Sequence, residues 1–198
     1  MQSIPLIKKE LVIIINYFWQ ISKYKDEELP LYQQSGNPTW TSVSDIGKRY
    51  NRRIFTVSNY MTVEELFIKA IQVFMISSTS TKLIVKQLEK PLNLEVIEDN
   101  IVKTGFSLED SKEMLNFFQK VRQGMSISLN EVELMTRLAL REYVWVQLES
   151  ETMFVRFDYD YYVDIGSTER CDDAVKQVCD MNLSVNLWDK PYPFSSPT

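Results

Sequence analysis

The chain has 198 residues, 44% of them hydrophobic and 25% charged, with a formal net charge of −5; this is the composition of a globular protein about one domain long, and it excludes a largely disordered chain. It contains no histidine, which removes Ser-His-Asp triads, Cys-His dyads and HExxH zinc sites together. With five glycines and neither GxGxxG nor GxxxxGKS/T, a glycine-rich phosphate loop is excluded as well.

In chain order, the first expected element is a helix over residues 6–23. Ile7, Leu11, Ile14, Ile15, Phe18 and Ile21 recur there at three- and four-residue spacing. Its apolar run is too short to span a bilayer and lacks a small-x-small cleavage site, so it reads as a buried helix of a cytoplasmic protein. Residues 24–53 are irregular, with turn chemistry at Leu29-Pro30 and from Ser35 to Pro38. A short helix over 43–50 and a short strand over 54–57 are expected at their end. Thr62-Val63-Glu64-Glu65 reads as a capping box opening a helix over 63–76, which buries Leu66, Ala70, Val73 and Phe74. A further helix is expected over 81–89, ending before Pro91. Residues 94–102 fit either a helix or a strand.

Ser107 starts a helix that runs toward Gly124 with Leu115, Phe118 and Val121 on its inner face. Ser128-Leu129-Asn130-Glu131 is a second capping box, and the helix it opens carries Leu134, Leu138 and Arg141. The period then changes. From Met153 to Ile165 apolar and polar side chains alternate, which predicts one long strand paired with 144–148 through a turn at Ser150 and Glu151. A helix over 169–181 and a strand over 183–188 follow. The expected fold is α+β: N-terminal helices packed with a C-terminal β-β-α-β antiparallel or mixed sheet, in one domain over 1–198. Cys171 and Cys179 fall eight residues apart in one expected helix. At about 12 Å separation they are too far apart to pair, and they read as reduced thiols of a reducing compartment.

Candidate functional residues concentrate in the last quarter. On a single strand Asp158, Asp160, Tyr162 and Asp164 share a face, with neighbours about 6.6 Å apart. Such carboxylates can hold a divalent cation or do acid–base work; they also serve simply to solvate a strand, or to meet a partner. From Glu149 onward there are ten acidic and four basic side chains, so the acidity of the whole chain lies in this segment. A face of one sign attracts a basic protein partner and repels nucleic-acid phosphates. Lys48, Arg49, Arg52 and Arg53 surround Tyr50 and read as a solvated basic face. Tyr159 and Tyr161 fall on the apolar side of the expected strand and are assigned to core packing, whereas Tyr162 falls among the aspartates and is the better contact residue.

The run from Leu140 to Val146, LREYVWV, followed by FDYDYYVDIG from Phe157 to Gly166, resembles small bacterial proteins of unknown function, some of which are immunity proteins of polymorphic toxin systems. That resemblance implies a non-catalytic inhibitor that covers a toxin. With the acidic segment, the expected function is an immunity- or antitoxin-type protein that binds a protein partner, such as a basic toxin domain, and binds neither nucleic acid nor membrane. The expected contact residues are Asp158, Asp160, Tyr162, Asp164, Asp172 and Asp173, with no catalytic residue, metal or cofactor. The alternatives are a subunit or scaffold of a larger assembly, or a carboxylate enzyme dependent on a divalent metal.

Overall fold

The structure, a computed structural model, describes residues 15–24, 39–50 and 52–188. The described residues form β1 (Tyr17–Ser22), β2 (Arg49–Tyr50), β3 (Arg53–Ile54), α1 (Val57–Ser77), β4 (Lys82–Glu89), α2 (Leu94–Thr104), α3 (Leu108–Lys120), β5 (Ser126–Ser128), α4 (Leu129–Leu140), β6 (Trp145–Glu149), β7 (Met153–Phe157), β8 (Tyr162–Ser167), α5 (Asp172–Asp180) and β9 (Ser184–Trp188). Seven of the strands make one antiparallel sheet in the order β5-β4-β6-β7-β8-β1-β9, and β2 and β3 make a separate small hairpin. The fold is α+β. No helix among the described residues is long and apolar enough to cross a membrane.

Alternation along each strand sorts the sheet into two faces. Val85, Leu148, Val155, Ile165 and Trp19 stand partner to partner across five strands, and none is more than 4% exposed. Helix α1 covers this row, its Phe74 ring 5.0 Å from Trp19. On the opposite face Gln147, Arg156, Asp164, Gln20 and Asn186 form a polar row. Beside it run Phe154, Gly166, Phe18 and Trp188. Phe154 lies over Gly166 so closely that a Cβ there would come within 2.1 Å of the ring. This approach of ring to backbone is what requires glycine at that position.

The helix ends show how few glycines the chain has to spend. α1, α2, α4 and α5 all close with paired backbone bonds of the Schellman type, which need a left-handed residue just past the helix. Only α2 has glycine there, Gly105; the others use Thr79, Glu142 and Asn182. Asparagine tolerates that conformation, but a β-branched threonine is strained in it. Thr79→Gly is therefore expected to stabilise the fold by about 0.5–1 kcal/mol. The check is a higher urea midpoint at unchanged slope.

Five expectations are corrected. Residues 17–22 are strand β1, not the end of a helix; the rest of that expected helix, up to residue 14, lies outside the described residues. Tyr17, Trp19 and Ile21 alternate with Phe18 and Gln20, and in a short apolar run rich in aromatics the helical and strand periods cannot be told apart. Residues 82–89 are β4, the strand that joins the β5 edge to β6, rather than a helix; Leu83 and Val85 alternate with Ile84 and Lys86. The cap of helix α1 lies six residues before the expected one. Thr56 is its cap, accepting from the Asn59 N–H while Asn59 accepts from the Thr56 N–H. Thr62 lies inside the helix and donates back to the Ser58 carbonyl. Finally, 153–165 is not one strand but the hairpin β7–β8, turned at residues 158–161. Elsewhere, residues 94–102 lie within α2, the expected helix over 43–50 is a single 3-10 turn over Val43–Asp45, and the box at Ser128 caps α4 as expected.

Candidate functional site

The β7–β8 turn decides where the expected contact residues go. Asp158 caps it, its Oδ1 accepting from the Tyr159 N–H at 2.7 Å. The Asp158 N–H closes the hairpin on the Tyr162 carbonyl. Asp160 and Tyr161 then both take positive φ, 57° and 64°. Tyr161 turns inward, where its hydroxyl donates to the Leu140 carbonyl at 3.2 Å and ties the turn to the end of α4. Its ring sits against Trp40, Phe67 and Tyr60, and burial pushes its phenol well above the usual tyrosine range.

The expected site is thus split. Asp158 and Asp160 are exposed on the turn. Asp164 lies on the outer sheet face, half-buried, opposite Arg156 and accepting from Gln20 Nε2 at 3.1 Å. Burial raises its carboxyl above the ordinary value, the Gln20 bond and Arg156 opposing that rise while Asp158 adds to it. Tyr162 is half-buried, its ring 5.4 Å from Tyr24. Asp172 and Asp173 are exposed in the first turn of α5, beyond the end of β8 remote from the turn. Asp172 pairs there with the exposed Arg170. The two cysteines are free thiols, Cys171 buried just before α5 and Cys179 exposed on it. The basic residues flank the β2–β3 hairpin, where Lys48 is paired with Asp45 and Arg49, Arg52 and Arg53 are exposed. Among the described residues no group of three or more Asp, Glu, Cys or His side chains is placed to hold a metal ion.

What the turn does build is a hollow of about 130 Å³ between itself, Thr41 and the connection from α4 to β6. Among the described residues three carboxylates line it, Glu142, Asp158 and Asp160, and no lysine or arginine does. Trp145, at the start of β6, and Tyr159, on the turn, meet edge to face at 5.1 Å, yet are 41% and 68% exposed. Tyr161 packs in the core as expected, but Tyr159 does not: it is the open ring, and Tyr162 is partly covered. Three of the residues that line the hollow, Glu142, Asp160 and Tyr161, hold left-handed backbone without being glycine. Strained backbone gathered at one place is a mark of functional sites.

Each wall is fixed from below. Glu142 is the left-handed residue that ends α4, and the Ser42 hydroxyl donates to its Oε1 at 2.7 Å. One residue earlier, Arg141 is 4% exposed and forks onto the fully buried Glu64 of α1 through Nε at 2.7 Å and Nη2 at 2.8 Å. Arg137, one turn back on α4, also donates to Glu64, and to Glu65 and Glu133. Burial opposes the charge on Arg141, but the hydrogen bonds and charge of Glu64 outweigh it and raise the pKa of the guanidinium. Its flat face lies over Phe106, 4.1 Å from the ring centre. The third wall, Thr41, follows Trp40, which stacks on Phe55 with ring centres 4.3 Å apart.

Sequence reasoning missed Glu142 and underrated Trp145 and Tyr159. Nothing near Glu142 announces a left-handed cap, because the residue that usually does so, glycine, is absent there. Compared with known protein families, with curated proteins and with solved structures, the chain matches none.

Proposed function

We propose that the chain is a non-catalytic cytoplasmic protein of the immunity or antitoxin type, which inhibits a basic protein partner by covering it with the corner built from Glu142, Trp145 and the 158–161 turn. The observation that carries this reading is the pairing, around one hollow, of three carboxylates and two exposed aromatic rings with no cationic side chain among the described lining residues. Aromatic side chains are enriched where binding energy concentrates. Carboxylates at the rim steer a partner of opposite charge and fix its orientation. The acidic composition of the last quarter of the chain adds a long-range field of the same sign.

The test is retention of partners from lysate of the source organism at low and at high salt, run in parallel on three proteins: wild type, Asp158→Lys with Asp160→Lys, and Asp172→Lys with Asp173→Lys. The expected result is a basic protein held by wild type at low salt, weakened at high salt, lost from the turn variant and kept by the α5 variant. With the purified partner, the turn reversals should lower the association rate by about tenfold or more at low salt. A partner held equally by the turn variant would remove this corner from the interface.

A further inference from the structure

We infer that the hollow beside the β7–β8 turn is a subsite for one guanidinium group, so that the partner reaches this corner with an arginine side chain. This rests on the reading of the corner as a contact surface and deepens it.

The hollow, about 130 Å³, exceeds the roughly 30 Å³ that one water occupies in the liquid, and it has room for the head and upper stem of one long side chain. Its aromatic wall is the Trp145–Tyr159 pair, set edge to face and open to solvent. A cation over a tryptophan or tyrosine face is attracted by the ring quadrupole, and tryptophan is the best of the rings for this. Its charged lining residues are carboxylates from separate elements: Glu142 from the end of α4, Asp158 and Asp160 from the turn. No lysine or arginine is among the described lining residues. Aromatic wall and carboxylate rim ask for the same occupant, a cation with an apolar stem.

Between the two cationic side chains the geometry favours arginine. A guanidinium is planar, stacks on aromatic faces, offers a fork of N–H donors to carboxylates and is more weakly hydrated than an ammonium. Glu142 is held ready for it, with Oε1 taken by the Ser42 hydroxyl. The site is also built before any ligand arrives: the turn is tied to Leu140 through Tyr161, and Glu142 directly follows the buried Arg141. A rigid site loses less in ordering when it binds.

The experiment is a titration of the full chain with N-acetyl-arginine methylamide, followed by the indole N–H resonance of Trp145. That resonance is assigned by its disappearance in Trp145→Phe. N-acetyl-lysine methylamide and N-acetyl-norleucine methylamide serve as comparison ligands. The expected result is a saturable shift with the arginine compound, a dissociation constant at least about threefold weaker with lysine, and no saturation with norleucine. Glu142→Gln and Tyr159→Ala should each weaken arginine binding by about tenfold, the scale of one charge-assisted contact or one cation–π contact. An Asp172→Asn control should not weaken it. No saturation with arginine, equal binding of norleucine, or unchanged affinity in Glu142→Gln would overturn the inference, and equal binding of lysine would overturn its guanidinium specificity. The two readings fail separately. A partner lost from the Asp158→Lys, Asp160→Lys protein while the arginine compound does not bind would sink the subsite and keep the contact surface. Arginine binding without any partner dependent on the turn would do the reverse.

Discussion

Glu64→Ala is expected to destabilise the protein by about 3–5 kcal/mol, the range for breaking a buried ion pair from one side. Glu64 is fully buried on α1 and anchors two guanidiniums, of which Arg141 is itself only 4% exposed. Removing the carboxylate leaves Arg141 charged and dry against Phe106, because guanidinium does not shed its proton in proteins. The cost therefore comes mainly from the partner left behind. Two controls separate this from simple loss of packing. Replacing Glu64 and Arg141 together by methionines should recover most of the stability, since the desolvated charges go together. Arg137→Met should cost less, because Arg137 is partly exposed and the Arg141 fork on Glu64 survives it. Urea unfolding of the single and double variants, read as a cycle, measures the coupling. A coupling near zero would mean that the fork contributes nothing to holding α4 on α1, and with it the position of Glu142.

The same pair shows why part of this molecule could be read from its sequence and part could not. The Ser128 box, the α3 periodicity and the β6–β7 hairpin are local patterns, and the structure has them all. Glu64 and Arg141 looked like ordinary polar residues of two amphipathic helices. Their meeting is set by how α1 crosses α4, which no short-range pattern encodes.

The β7–β8 turn is a subtler case. The inward residues Met153, Val155 and Phe157 before it and Val163 and Ile165 after it all keep the same parity. The connection takes up an even number of positions, so the alternation passes through the turn in phase. Asp158-Tyr159-Asp160-Tyr161 also lacks the Asn-Gly or Gly-x signal that marks hairpins. Its left-handed positions are instead held by Asp160 and by Tyr161, a bulky residue kept there by its hydroxyl bond and the surrounding rings. This hidden turn is what splits the expected acidic face and makes the hollow. Asp158 and Asp160 were legible as candidates and Asp164 as a strand residue; that Asp158 and Asp160 leave the strand for a turn, and that Glu142 joins them there, were not.

Trp40→Ala is expected to cost about 3–5 kcal/mol, as for other large aromatic truncations in a core. Trp40 stacks nearly flat on Phe55, at 18°, and edge-on to Tyr161 with centres 4.7 Å apart. The Lys23 ammonium lies 4.1 Å from its ring centre. Phe55, Tyr60 and Tyr161 would all lose a neighbour at once. The functional consequence follows from chain order. Thr41 is one wall of the hollow and Ser42 holds Glu142, so the truncation should weaken binding of the arginine compound even under conditions where the variant remains folded. Ile97→Ala, in the core at α2, should cost about 2–5 kcal/mol but leave arginine binding unchanged, because Ile97 is buried away from the hollow's walls. Trp40→Phe, which keeps a ring against Phe55, should retain most of both properties. If Trp40→Ala and Ile97→Ala weaken arginine binding alike, the hollow responds to global stability alone. If only Trp40→Ala does so, the aromatic cluster is the scaffold on which the site is mounted, and the strained turn, the buried fork and the cluster act together to hold three acidic side chains where their mutual charge repulsion would otherwise spread them apart.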